Sequence, residues 1–596
     1  MNRRRRKVWQ ALLCLTVGIG TIGTAFRAVA ARPTLISALP QQQGNQLIVN
    51  GQTFAGAWRQ WIDPSTGQPA IALSDSAWMR AIGGDLLDNS SPTQQPIQWF
   101  TSTPLTVPVQ LSPTARLLNL TQAIRQWGWQ VQAQGGTLAL RTPTATVQAV
   151  RLGQQPWGRR LVLTLDRPTP WTMAKLTNSR TGRTDREFSL QLDATLSPAV
   201  LQGFAAKPGT GLKSLKLTPN QGQLTVQGTI EGTFHPAVWT TDNPPRLVVD
   251  LRQSPLKSRR IVWAPGLEWR ESVIPYGESQ FPVTWLAINP RQPGLKIQPI
   301  WGNPTGILGI DPLVTMSQRN QVLAAINAGF FSRDRQSPLG AIRRDGVWVS
   351  SPILGRGAIG WSPQGAFKVG RLMLQETLIT RSGRALPLAS SNSGYPQKGI
   401  ARYTSAWGSA YSPLLQNEQV ITVVNQQVQS IRPSQPNLAF PIPSNGFLLV
   451  LRAIAPDAEL SPGMQVQYQA RTTLPAFENL PNIVGGGPLL VQDGQIVENT
   501  LAEQFSPTFA QQAADRSGIG QTADGTVVLA VTHNRIGGAG PTLREWAYVM
   551  RSLGAVNALN LDGGSSTALY LGGQLLDRHP VTAARVHNAI GIFIQP

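Results

Sequence analysis

PTLREWAYVMRSLGAVNALNLDGGSS, residues 541–566, holds a helix, a strand and a polar turn in twenty-six residues. Leu543, Trp546, Ala547, Met550 and Leu553 recur at helical spacing and Gly554 stops the run, which predicts a helix over Thr542–Leu553. Thr542-Leu543-Arg544-Glu545 has the pattern of a capping box, in which a glutamate at the third helical position bonds back to the capping residue. A strand is predicted from Val556 to Leu561, a second from Thr567 to Leu571, and Asp562-Gly563-Gly564-Ser565-Ser566 is the bend between them. A carboxylate at a strand end among glycines is held on rigid backbone with space around it. Spacing alone leaves two uses for Asp562: a reacting carboxylate, or a turn aspartate bonding neighbouring amides.

Around this core the texture of residues 261–596 is uniform, with short strands, glycine-rich turns and few helices. Ala324–Asn327 reads as an apolar strand running into Ala328-Gly329-Phe330-Phe331 and Ser332-Arg333-Asp334. Gly485-Gly486-Gly487 either brings backbone close to a ligand or makes a bend, and Asp493-Gly494 is a hairpin turn. Upstream the rhythm changes. Residues 254–260 are polar and basic, a linker; residues 146–253 alternate apolar and polar at period two and read as all-β. Residues 31–145 hold two segments, 46–87 and 115–143, each with strand-like apolar runs and an amphipathic stretch, which in the second is Leu117, Leu120, Ile124 and Trp127 at helical spacing before Gly128. The expectation is a multidomain chain: β-rich N-terminal modules, then an α+β C-terminal catalytic domain of mixed sheets with few helices.

Residues 1–30 place cations at Arg3–Lys7, an apolar run from Val8 to Phe26 and then Ala28-Val29-Ala30. That order predicts a secretory signal cut after Ala30 and an extracytoplasmic location, with an uncleaved membrane anchor as the other reading. The one cysteine, Cys14, falls inside this segment, so the mature chain has no thiol for disulfides, metal or catalysis. A net charge of +22, carried mostly by arginine, favours anionic partners such as phosphate esters, acidic polysaccharides or membrane surfaces. Export removes nucleic acid as a partner. The four histidines, His235, His533, His579 and His587, form no zinc-ligand spacing, and no GxSxG elbow occurs. No cofactor is implied; an oxygen-ligated Ca²⁺ is compatible with the composition, but no spacing points to one.

NAGFF (327–331), IVGGGPLLVQDG (483–494), DRSGIG (515–520), the 541–566 block and ARVHNAIGIF (584–593) occur in the order seen in the phosphodiester glycosidase family, which the C-terminal half resembles. The resemblance implies a glycosidase acting on a phosphorylated glycan or sugar-1-phosphodiester. Residues 31–145 resemble the stalk modules called copper amine oxidase N-terminal-like domains. Residues 146–253 resemble AMIN modules, which implies attachment to a cell-wall glycan.

A phosphomonoester leaves readily as an anion, its second pKa being about 6, so strong general-acid help is less necessary than in ordinary glycoside hydrolysis. What is needed is one carboxylate near the anomeric carbon, plus cations or amides for the phosphate. On the matched positions Asp562 takes the first role. Arg516 with Arg535 or Arg585 takes the second, and amides around Gly563, Gly564, Ser565 and Ser566 assist. Glu545 is either a second catalytic carboxylate or the capping-box residue, and Asn327 either binds substrate or builds its turn. Three places depart from the family pattern: Ser565 replaces a third glycine, Ser517-Gly518 a Thr-Ala pair, and His533-Asn534-Arg535 an Asp-Gly-Arg triplet. They keep open an inactive envelope or glycan-binding protein on the same scaffold, and the AMIN likeness keeps open a zinc peptidoglycan amidase.

Overall fold

A computed structural model describes residues 41–178, 185–254, 256–435 and 437–595. The expected signal segment, 1–30, lies outside the described residues. The rest is β-rich and multidomain. The two segments of 31–145 meet in one nine-stranded sheet, in which Gln42–Val49 pairs parallel with Thr137–Arg141. Its core is aromatic: Trp99 packs against Trp78, Trp127 and Trp129 with ring centres 4.8 to 6.4 Å apart. The helical spacing read from Leu117 to Trp127 yields a shorter helix. Arg116–Asn119 is a strand and only Thr121–Gln126 is helical. Leu117 and Leu118 are committed to pairing with Ser74 and Leu73, and sheet pairing overrides helical spacing there. Residues 145–252 form a five-stranded and a four-stranded sheet, Gly158–Leu165 at the centre of the first.

The expected linker ends early, because Arg259 and Arg260 open the strand Arg259–Ala264. That strand is tied to the first module. Arg259 meets Asp85 at 3.0 Å, Val262 donates to Asn89 Oδ1 at 2.6 Å, and Arg116 donates to the Trp263 carbonyl at 3.3 Å.

The described C-terminal domain is built from an eight-stranded, a seven-stranded, two five-stranded and two two-stranded sheets. In the eight-stranded sheet Ala555–Asn560 lies between Arg516–Thr522 and Leu489–Gln492. The helix Leu543–Ser552, the longest among the described residues, covers this sheet with buried Leu543, Trp546, Ala547, Val549 and Met550. In one five-stranded sheet Ala324–Asn327 lies between Asn588–Ile594 and Leu569–Leu571. The chain crosses from the first of these sheets to the second at residues 561–568, so the bend after Leu561 sits where the two sheet ends meet.

Candidate active site

The crossing is fastened by one buried amide. Asn327, with no exposed surface, donates Nδ2 to the Asp562 carbonyl at 2.6 Å, and its Oδ1 accepts from Ser517 Oγ at 2.7 Å and the Ala568 amide at 3.0 Å. The Asp562 amide donates to the Ala328 carbonyl at 2.8 Å. Asn327 therefore builds the turn, and every polar atom of its side chain is used internally. Two glycines are required by contact. A Cβ on Gly563 would lie 2.6 Å from the Asp515 carbonyl oxygen, and one on Gly329 would lie 2.8 Å from that of Gly485. Gly564 has φ +63°, a left-handed conformation that glycine adopts freely, and its amide donates to the Asp515 carbonyl at 2.8 Å.

So held, Asp562 is half-buried at the edge of a cleft of about 700 Å³. The cleft is lined by Gly563, Gly564, Ser565 and Arg333 together with Phe330, Phe505, Phe509, Arg356 and Arg516. Burial pushes the Asp562 carboxyl up to about 6, against the Ser566 hydroxyl, the charge of Arg333 and the Gly563 amide, which favour the ionised form. The Gly563 amide donates to Asp562 Oδ1 at 3.1 Å. Arg333 donates to Ser565 Oγ at 3.0 Å. Ser565, the residue in place of a family glycine, thus holds the cation that acts on Asp562.

The structure brings some of the expected residues together and leaves others apart. Arg516 lines the cleft, but it is almost fully buried and lends donors to the Pro541 and Gln512 carbonyls. Burial lowers its pKa to about 10. Ser566 is buried beneath the turn, and Arg585 is exposed and outside the cleft lining. Arg535 and Glu545 are not brought to the cleft. They face each other in a two-pronged pair, both contacts at 2.9 Å, and Arg535 also donates to Ser279 and the carbonyls of Ala539 and Gly540. Glu545 completes the capping box, accepting from the Thr542 amide at 2.8 Å while its own amide donates to Thr542 Oγ1. Burial works to raise its pKa, but the Thr542 amide and Arg535 outweigh it and hold the carboxyl below its ordinary value. A carboxylate held ionised and fully bonded is placed for structure, not proton transfer.

Sequence reasoning missed Arg333 and Arg356. Arg333 stands two residues after the quoted NAGFF block, and that adjacency was the available signal. Arg356 carried none. Also unforeseen is the network behind the turn. His533 lies between Asp515 (Nδ1, 2.9 Å) and Asp577 (Nε2, 2.9 Å). Arg578 meets Asp515 at 2.6 Å and reaches the Ser565 carbonyl at 3.4 Å. Burial disfavours charge on His533, but the two carboxylates prevail and lift its pKa to about 9. From the preceding β domain Arg186 is drawn to the Asp515 charge, while burial and then the charges of Arg186 and His533 push His235 down to about 3 and keep it neutral.

Residues 417–593 match the model of the phosphodiester glycosidase family. No curated protein matches. Among solved structures, the chain is similar to a hypothetical protein from Synechocystis, with 42% identity over 93% of this chain and 99% of that one and a TM-score of 0.86. It is also similar to a putative exported protein from Burkholderia pseudomallei (17% identity, 76% and 100% covered, TM-score 0.45). A third match is the zebrafish N-acetylglucosamine-1-phosphodiester alpha-N-acetylglucosaminidase catalytic domain (15%, 56% and 84%, TM-score 0.30). The chain carries a phosphodiester glycosidase domain over residues 417–593.

Proposed function

We propose that the protein is a glycosidase that hydrolyses a sugar-1-phosphodiester outside the cytoplasm, in cell-envelope or exopolysaccharide metabolism. The observation that carries this reading is the charge make-up of the cleft: among the described residues its lining holds one carboxylate, Asp562, and three guanidinium groups, Arg333, Arg356 and Arg516. Hydrolysis of an ordinary glycoside needs two carboxyl groups, one of them to protonate the leaving oxygen. A phosphate leaving group needs no such acid but does need cations. Above a pH of about 6 Asp562 is ionised and serves as nucleophile or as general base towards water. Arg333, next to it, holds the phosphate as negative charge builds on the departing oxygen.

Residues 146–253 serve in this reading to hold the enzyme on a cell-wall glycan, and the basic apolar N-terminus to export it. The test is a panel of sugar-1-phosphodiesters differing in the sugar, followed by ³¹P and ¹H NMR. Release of a phosphomonoester and a reducing sugar from at least one supports the reading. Turnover of simple glycosides but of no phosphodiester would reject it.

A further inference from the structure

Arg333 is the guanidinium that acts on Asp562, so a phosphate bonded to the reacting carbon falls to Arg333. Arg516 is occupied with backbone carbonyls. Arg356 is left over. Its guanidinium carbon lies 4.1 Å from the centre of the Phe505 ring and 5.8 Å from that of Phe330. Its one hydrogen bond, Nε to the Glu503 carbonyl, is long at 3.4 Å, and no carboxylate among the described residues pairs with it. The Glu503 carboxylate acts on it only at a distance, being taken by the amides of Gly357 (2.7 Å) and Leu489 (2.8 Å) and by Arg371. A half-buried cation without a paired anion is costly, and with only Nε engaged the remaining guanidinium N–H groups are left for a two-pronged phosphate contact. Beside it Phe505 stacks on Phe509 with centres 4.7 Å apart, and Phe330 completes the apolar wall.

We propose that Arg356 on its phenylalanine wall is a second anion subsite, and that the leaving group is a diphosphate monoester whose far end is flat or apolar. This rests on the glycosidase reading above. The phosphoryl group next to the sugar lies on Arg333, the outer one on Arg356, and the substituent on Phe330, Phe505 and Phe509. Water adds its oxygen to C1, the C1–O bond breaks with its electron pair going to the diphosphate oxygen, and the water proton passes to Asp562 and then to solvent. Nucleoside diphosphates and isoprenoid diphosphates share this chemistry.

Calorimetric titration of the full chain with inorganic phosphate and with pyrophosphate tests the subsite without any turnover. Pyrophosphate should bind at least about tenfold more tightly, the scale of one added charge-assisted contact. Arg356→Gln should abolish that preference while leaving phosphate affinity in place, and Arg333→Gln should weaken both ligands. Arg356→Lys, which keeps the charge but not the planar fork of donors, should show an intermediate preference and serves if the glutamine variant melts early. Equal affinities in the unaltered protein, or a preference that survives in Arg356→Gln, overturns the subsite. Uridine diphosphate and farnesyl diphosphate then separate the two sources: tighter binding of either than of pyrophosphate supports the apolar half, and no gain from either removes it. If no sugar phosphate is hydrolysed while the pyrophosphate preference stands, the glycosidase reading has failed and the subsite has not.

Discussion

The side-chain amide of Asn327 donates to the carbonyl of Asp562 at 2.6 Å, joining residues 235 apart in sequence. The same side chain accepts from Ser517 and Ala568, so one buried residue ties three strand ends to the turn that carries the carboxylate. Asn327→Ala leaves a buried carbonyl, hydroxyl and amide without partners. A loss of about 3 kcal/mol is expected, read as a lowered midpoint in denaturant, together with reduced turnover in the fraction still folded. Wild-type stability would show that these groups find other partners.

Glu545 separates a structural from a chemical role. Gln can still complete the capping box, whereas the charge pair with Arg535 is lost in Glu545→Gln. Turnover should fall less than about tenfold, well below the loss seen when a general acid or base is removed. A dead Glu545→Gln enzyme with an unchanged melting temperature would place Glu545 in the chemistry.

His533 makes stability depend on pH in an unusual direction. Its folded pKa of about 9 exceeds the ordinary 6.5, so its contribution is complete below pH 6.5 and is lost as pH rises through about 9. The melting temperature should decline across that window in the unaltered protein and stay flatter in His533→Gln. An identical slope in both would mean that the imidazole is not the bridging cation between Asp515 and Asp577.

The legibility of this fold follows sequence distance. The helix, its capping box and the Asp562 bend were readable because each is decided within a few residues, by apolar spacing, a Thr-x-x-Glu pattern and paired glycines. The strand at Arg116–Asn119 was not, because leucine serves either structure and only one of its two partners, Leu105–Leu111, is local, the other lying about forty residues back in Pro69–Ser74. Arg535 shows the same limit in the site. It matches a family position and carries the right charge, but its partner Glu545 lies on the next element and occupies its donors. Arg333 and Arg356 reach the cleft only through the packing of separate sheets, and no local pattern marks a cation that tertiary structure leaves unpaired. Ser565 was visible as a departure, yet its role appears only with Arg333 beside it.

Asp562 sets the acid limb of activity. With a pKa of about 6 it must be ionised to act, so kcat/KM should fall as pH drops below 6. Arg333→Gln removes a charge that favours the ionised form, and the limb should move to higher pH. A limb fixed in that variant would detach Arg333 from Asp562.

The turnover of Asp562→Asn on a sugar-1-phosphodiester that the unaltered protein hydrolyses decides whether Asp562 is the reacting carboxylate. The amide keeps the size of the side chain and can bond the Gly563 amide, but it cannot act as nucleophile or base. Turnover should fall at least about a hundredfold. The melting temperature at pH 7.5 should not fall, because the ionised carboxylate is held there against its burial and the amide removes that cost. Near-normal turnover in a folded Asp562→Asn protein would remove Asp562 from the chemistry, and a silent Asp562 beside an inactive Glu545→Gln would reverse the assignment.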